Sequence, residues 1–371
     1  MKKKYIIFSI VTLVLLVSFL SYSKYLKITN VCKENVKPTK IPKGISMNFE
    51  QTAGAGDYKT VTQSSWPTKG YKFNAELSRC ENGSEISWDD TKKAVIVSGN
   101  LADKCYVYFD IYQPTLAEYV KSQYTGTQGK NSLYYHDSSL ANGAGDNSYR
   151  YAGASDSVNN YICLGSDEAT CPDANLFRII GVFGDQTKVI RAKSIGNQKW
   201  DTNNSNTWSS SSLNTYLNGE YLTSLGTIAE KIATTTWKVG GRSSTYLYDV
   251  PTTAYQYEVG SSASTTTYDA KIGLMYVSDY GFAADQSGWT TKLDSYGSNS
   301  SKNWLYLGSF EWTISRNSDL ASSAFFVYST GYVNYYYVYI NSFAVRPVFN
   351  LESSVKYVSG SGSMSDPVRV N

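Results

Sequence analysis

A single histidine, His136, occurs among the 371 residues. That excludes metal sites built from several histidines and leaves one candidate base for a Ser-His-Asp or Cys-His mechanism. His136 sits beside Asp137 in a polar stretch and reads as a solvated side chain rather than a catalytic one. Charge is scarce as well: 18% of residues are Asp, Glu, Lys or Arg, against roughly 25% in an average soluble protein. Basic residues number 34 and acidic ones 31, and Lys2, Lys3 and Lys4 stand in an acid-free start, so the chain beyond residue 23 balances at 31 of each. The lack of a basic excess or stripe argues against nucleic-acid binding, which is built from clustered Lys and Arg. No two cysteines stand at Cys-x-x-Cys spacing, so a zinc site is unsupported, and neither metal nor cofactor is expected. Paired catalytic carboxylates are missing too. Asp89 and Asp90 would point apart on a strand, Asp279 and Asp285 show no identifiable partner, and no nucleophile motif is present, which leaves little ground for hydrolase chemistry.

The N-terminus carries a charge-free run over residues 5–23, rich in Ile, Leu, Val and Phe, between Lys2–Lys4 and Lys24. At about 1.5 Å per residue such a helix reaches roughly the 30 Å of a bilayer core, and the leading lysines favour a cytoplasmic N-terminus. An uncleaved signal anchor over 1–30 is favoured over a cleaved signal, although Ser21 and Ser23 would suit a signal peptidase. Either reading exports the rest, and the anchored one predicts a single-pass membrane protein with an extracellular C-terminal domain. Cys32 lacks the preceding small residue of a lipoprotein, and the start lacks a type IV pilin signature.

Residues 31–113 read as a small β domain: Tyr71-Lys72-Phe73-Asn74 alternates, and Ala94-Val95-Ile96-Val97 is a strand-like run between turns. Spacing suggests two local disulfides in an exported chain, Cys80 with Cys105 and Cys163 with Cys171, with free thiols as the alternative and Cys32 left over. Residues 114–148 are expected to form a short helix, capped by Thr115 and Glu118, and then an exposed, mobile linker over 123–146. A C-terminal domain over 149–371 shows strands at 160–164, 176–183 and 188–193, and helices at 210–217 and 220–233 punctuated by Gly219. Further strands are expected at 271–277, 304–307, 312–315, 325–329, 332–340 and 344–349. This order is α+β.

The element Trp312-Thr313-Ile314-Ser315, the hairpin over 325–340 and the strand Val345-Arg346-Pro347-Val348 resemble the end of a C-type-lectin-like domain of exported Gram-positive surface proteins. The segments 271–280, 358–363 and Asp366-Pro367 agree, and the likeness spans 149–371, with the Cys80–Cys105 region resembling the β unit that often precedes it. Most members of that family have no known function. The same fold occurs in formylglycine-generating enzyme relatives and in the variable proteins of diversity-generating retroelements, where the hairpin forms a ligand-contact surface. Three departures limit the carry-over. Arg316 stands where proline is common, the calcium-lectin triplets are missing, and the cysteine pair of the formylglycine-generating site has no counterpart.

The resemblance implies that the hairpin is the binding surface, and its residues suit that role. Tyr328, Tyr332, Asn334, Tyr335, Tyr336, Tyr339 and Asn341 are the candidate ligand-binding residues, with Tyr337 among them in sequence. Tyr and Asn supply contact area and hydrogen bonds at low entropic cost. Strand alternation would send Tyr335, Tyr337 and Tyr339 to one face and Asn334, Tyr336, Val338 and Ile340 to the other. Trp312 is expected in the core, and Arg346 to hold a local carboxylate or carbonyl. The expected function is extracellular recognition or adhesion, without catalysis, toward an unidentified macromolecule or glycan. The alternatives are a structural cell-envelope protein and, with less support, a cell-wall-processing hydrolase. Diversification of the hairpin by a retroelement is a further hypothesis, since adenine-directed mutation of Asn codons yields Tyr, Ser, Phe, Val and Ile.

Overall fold

Short runs of β-branched and aromatic residues, punctuated by Gly, Asn and Ser, dominate the chain, and the fold is accordingly α+β with many strands and few helices. The computed structural model describes residues 44–62, 66–67, 70–100, 103–245, 249–340 and 342–371. The expected membrane segment 5–23, Cys32 and Asn341 lie outside the described residues. Among those described, no helix is long and apolar enough to cross a membrane. The chain divides into two compact units, Met1–Gln113 and Pro114–Asn371.

The first unit contains β1 (Ile45–Glu50), β2 (Tyr58–Val61), β3 (Tyr71–Cys80), β4 (Glu85–Asp89), β5 (Ala94–Ser98) and β6 (Cys105–Ile111). Four of them form a sheet in the order β2-β1-β6-β3, with β1 and β6 parallel, and β4 pairs with β5 as a hairpin. Alternation in β6 buries Cys105, Val107 and Phe109 with Met47, Phe49 and Trp66, while intervening side chains face outward. A disulfide joins Cys80 and Cys105, which face each other across β3 and β6. Closing 25 residues of chain, it restricts the unfolded state by about 3.5 kcal/mol in the chain-entropy picture.

The second unit opens with α1 (Leu116–Ser122), whose capping box is complete: Thr115 Oγ1 accepts the Glu118 N–H, and Glu118 accepts the Thr115 N–H at 2.7 Å. Then come β7 (Leu133–His136), β8 (Ser148–Tyr151), β9 (Tyr161–Cys163), β10 (Leu176–Phe183), β11 (Gln186–Arg191) and β12 (Asn197–Gln198). Next follow α2 (Ser212–Tyr216), β13 (Thr235–Lys238), α3 (Pro251–Glu258), β14 (Thr267–Ala270), β15 (Ile272–Gly273) and α4 (Val277–Phe282). The chain ends with β16 (Glu311–Arg316), β17 (Ser323–Val327), β18 (Val333–Tyr337), β19 (Phe343–Ala344), β20 (Val348–Leu351), β21 (Tyr357–Ser359) and β22 (Val368–Val370). A nine-stranded sheet runs β15-β20-β11-β10-β9-β22-β21, with the β7–β8 hairpin joined to β10; a five-stranded sheet runs β12-β19-β16-β17-β18; and β13 pairs with β14. The run Leu-Phe-Arg-Ile-Ile-Gly-Val-Phe makes β10 a nearly wholly buried central strand. A second disulfide, Cys163–Cys171, closes the loop after β9.

Several expectations need correction. The stretch 123–146 is not an exposed linker: β7 pairs with β8, and Leu133, Tyr134, His136, Leu140 and Ala144 are buried. Its short apolar run hides among polar neighbours, and tertiary packing decides its conformation. The expected helices at 210–217 and 220–233 form one irregular helical path in which Gly219 sits inside a π-helical turn, Leu217–Tyr221. The expected strand over 271–277 shrinks to β15, and α4 follows it with all six residues buried. A six-residue helix buried on every side, with Ser278 and Asp279 among its buried residues, carries no amphipathic period. α3, with Pro251 at its first turn, has no strong apolar period to announce it, and 304–307 is a turn that buries Trp304 and Leu305.

Candidate functional site

The tyrosine hairpin is built from β17, buried at every position, and β18, the edge strand beside it. Their register sets Phe325 opposite Tyr335, Ala324 opposite Tyr336 and Ser323 opposite Tyr337. At the turn, Gly331 takes a left-handed φ of 96°, and its carbonyl accepts the buried Tyr280 hydroxyl at 2.7 Å. Tyr306 donates to the Ser329 carbonyl at 2.6 Å. Tyr328 and Tyr332 stack there at 4.5 Å with Phe310 edge-on to Tyr328, and burial beside Tyr328 lifts the Tyr332 phenol above its ordinary pKa. Tyr335 packs edge-on to Phe325, and Asn334 accepts the Tyr335 N–H; both are half-buried.

The opposite end of the hairpin is different. Tyr336, Tyr337 and Tyr339 are 41%, 47% and 37% exposed, with neighbouring rings 5.9 and 6.2 Å apart. The Val338 N–H donates to the Ser322 carbonyl and its own carbonyl accepts the Asp201 N–H, which tucks Val338 into the core. Strict alternation therefore stops at Tyr337, so Tyr339 and Ile340 are both exposed. The same tether brings this end beside the loop bearing Leu320, which is 42% exposed. The structure thus separates the candidates. Tyr328 and Tyr332 are packed at the turn, while Tyr336 and Tyr339 stand at the far end, roughly 13 Å along a strand that rises about 3.3 Å per residue. Leu320, Tyr337 and Ile340 belong with them, and of these only Tyr337 had been marked by the tyrosine run.

A second polar assembly is buried. Asp279, which had no identifiable partner in sequence, lies 2.5 Å from Lys188 and 3.6 Å from Arg150; Arg150 also binds Asp146 at 2.6 Å. Glu258 lies 3.4 Å from Arg242 and accepts the Val277 and Ser278 N–H groups and the Ser315 hydroxyl. Three cations meet three carboxylates, two of which sit at the N-terminus of α4, where the helix dipole favours negative charge. Burial opposes ionisation of Asp146, but the Arg150 charge and the Ser148 hydrogen bonds outweigh it and hold the carboxyl at about 2. Burial likewise lowers Lys188, against the pull of Asp279. These side chains are paired with one another and, Asp146 apart, closed to solvent, a structural arrangement rather than a cleft.

His136 is buried, not solvated: its Nδ1 accepts the Ala144 N–H at 3.1 Å, and its ring meets Phe282 and Trp289. Trp312 is buried, and Arg346 grips Glu311 with two hydrogen bonds of 2.6 and 2.8 Å. Among the described residues, no three His, Cys, Asp or Glu side chains are placed to hold a metal ion.

Residues 184–353 match the family model of a domain of unknown function, DUF6273. No curated protein and no solved structure matches the chain. The matched segment contains the tyrosine hairpin, Lys188, Glu258 and Asp279, whereas Asp146 and Arg150 lie outside it.

Proposed function

We propose that the chain is an extracellular recognition or adhesion protein, anchored in the cell membrane through residues 5–23, whose Pro114–Asn371 unit is a C-type-lectin-like head. The head binds a macromolecule or glycan through the free end of its tyrosine hairpin. One observation carries this reading: Tyr336, Tyr337 and Tyr339 form a contiguous exposed row with Ile340, beside Leu320. A soluble protein hides most large apolar groups, and clustered exposed ones mark interaction surfaces. Tyrosine adds a hydroxyl and a rigid ring, the features of adaptable paratopes. Two disulfides suit an oxidising, extracytoplasmic location. The edge position of β18 favours, as a second reading, a structural envelope protein that pairs with its own copies.

Binding of the full chain to glycan arrays and to cell-wall and host-matrix preparations tests the proposal, beside a Tyr336→Ser/Tyr337→Ser/Tyr339→Ser variant with unchanged circular dichroism. Saturable binding lost in the variant is the expected result. Equal binding by both proteins overturns the site, and self-association that disappears in the variant without any other binding favours the envelope reading.

A further inference from the structure

The Pro114–Asn371 unit has a concavity that shares no residue with the exposed tyrosine row. It holds about 270 Å³, partly open to solvent, and is lined by Tyr119 within α1, Gln123 at its C-terminal end, Asn131 in the following loop, Tyr151 of β8, Asn159 before β9 and Ser361 near the C-terminus. No residue lining it is charged. A charged ligand entering here would shed water without a counter-charge, and an apolar one would strip water from amides and hydroxyls that it could not replace. A small neutral molecule covered in hydroxyl groups meets neither penalty, because each of its hydroxyls can both donate and accept. Pockets for drug-sized ligands begin at roughly 300 Å³, so this one suits a single ring.

The rim is open to solvent at Asn131, Asn159 and Ser361, and three features order the concavity beneath it. Tyr151 is only 4% exposed, and its hydroxyl makes no hydrogen bond with any described residue. Burial and the neighbouring Tyr119 hold that phenol protonated, so it stays a donor. The Tyr119 ring is fixed by parallel stacking on Tyr357 at 3.7 Å and by a hydrogen bond from its hydroxyl to the Gly360 carbonyl at 3.2 Å. Asn131 has a left-handed φ of 59°, and its Nδ2 donates to the Gln123 carbonyl at 2.8 Å, which leaves Oδ1 without a partner among the described residues. Asp366, whose charge reaches Tyr119, accepts the Ser361 N–H at 2.8 Å and is not part of the lining. We propose that this cavity binds one neutral sugar ring, with the Tyr151 hydroxyl, the Gln123 and Asn131 amide oxygens and the Asn159 amide as its hydrogen-bonding groups; the Gln123 Nε2 is held by the Tyr119 carbonyl at 3.3 Å and the Ser122 hydroxyl at 3.2 Å. The site is independent of the hairpin reading above, and either can fail alone.

Saturation-transfer NMR on the full chain tests it, with D-glucose, D-galactose, D-mannose and N-acetyl-D-glucosamine as probes and D-glucuronate as the charged counterpart. At least one neutral sugar binds saturably, with an affinity on the order of millimolar. Tyr151→Phe, which removes only the hydroxyl, weakens binding by about two- to tenfold. Asn159→Trp, which fills the cavity from an exposed position, abolishes it, and the hairpin triple variant leaves it unchanged. The proposal is overturned if none of the four neutral sugars saturates, if glucuronate binds as well as they do, or if both cavity variants bind like the parent. Loss in the hairpin variant alone moves the sugar to the tyrosine row and overturns the cavity while sparing the recognition reading.

Discussion

His136 shows how one side chain ties burial to pH. Its Nδ1 already accepts the Ala144 N–H, and its Nε2 is buried without a partner among the described residues. A proton on Nδ1 would set two N–H groups against each other, and the Arg150 charge disfavours it further, so burial and Arg150 hold the imidazole pKa well below its ordinary value. The unfolded chain takes up that proton near pH 6.5 while the folded chain does not, so the unfolded state binds more protons and stability falls as pH drops below that point. The slope contributed by one such group approaches about 1.4 kcal/mol per pH unit. Glu311 and Asp249, both raised by burial, act in the opposite sense at the acid end of this window, and the informative quantity is therefore a difference. Urea unfolding at about pH 5 and pH 7 should show that His136→Gln loses less stability on acidification than the parent. An equal loss in both proteins would mean that His136 accepts a proton in the folded state. Nothing near residue 136 in the sequence announces its burial, because Phe282 and Trp289, which enclose it, are distant in the chain.

At the scale of elements, legibility followed the local strength of the signal. β10 and β17 are mostly apolar runs, and the capping box of α1 is a spacing that four residues specify. The exposed tyrosine row was legible as a composition but not as a place, since a tether between Val338 and Ser322 ends the alternation. The buried ionic assembly was illegible, because Asp279 meets Lys188 and Arg150 only after β11, β8 and α4 converge. β10 also carries a bulge between Ile179 and Gly181, where β8 crosses so closely that a Cβ on Gly181 would lie 2.2 Å from the Tyr149 carbonyl oxygen. Backbone at that distance cannot rotate aside, so Gly181→Ala must shift a strand and should cost about 1–3 kcal/mol. Gly219→Ala is the control: nothing lies within 4 Å, and the substitution sits in a helical turn where alanine is preferred, so stability should hold or rise by about 0.5–1 kcal/mol. Thermal unfolding of the two variants decides it, and equal midpoints would show that the β8–β10 crossing is looser than the register implies.

For the molecule as a whole, the extent of the matched domain and the extent of the compact unit differ. The match covers 184–353, while the unit spans Pro114–Asn371. The boundary at 184 falls between β10 and β11, the two central strands, which pair from Phe177–Arg191 to Phe183–Gln186. A fragment limited to 184–353 would lose β10 and with it the neighbours β8 and β9, turning β11 into an unpaired edge. It would also leave Val189 and Ile190, both buried, without the strand that covers them, and would deprive Asp279 of Arg150. Uncovered apolar strand edges aggregate, and the buried ionic assembly, although Asp279 keeps Lys188 at 2.5 Å, would lose its Arg150–Asp146 pair. The fragment 184–353 should therefore fail to unfold cooperatively and should self-associate, whereas 114–371 should show one cooperative transition. Size-exclusion chromatography and denaturant melts of the two fragments check this. A monomeric, cooperatively folding 184–353 would show that the sheet is stable without β7–β10, and that the residues flanking the match are an addition to a self-sufficient domain.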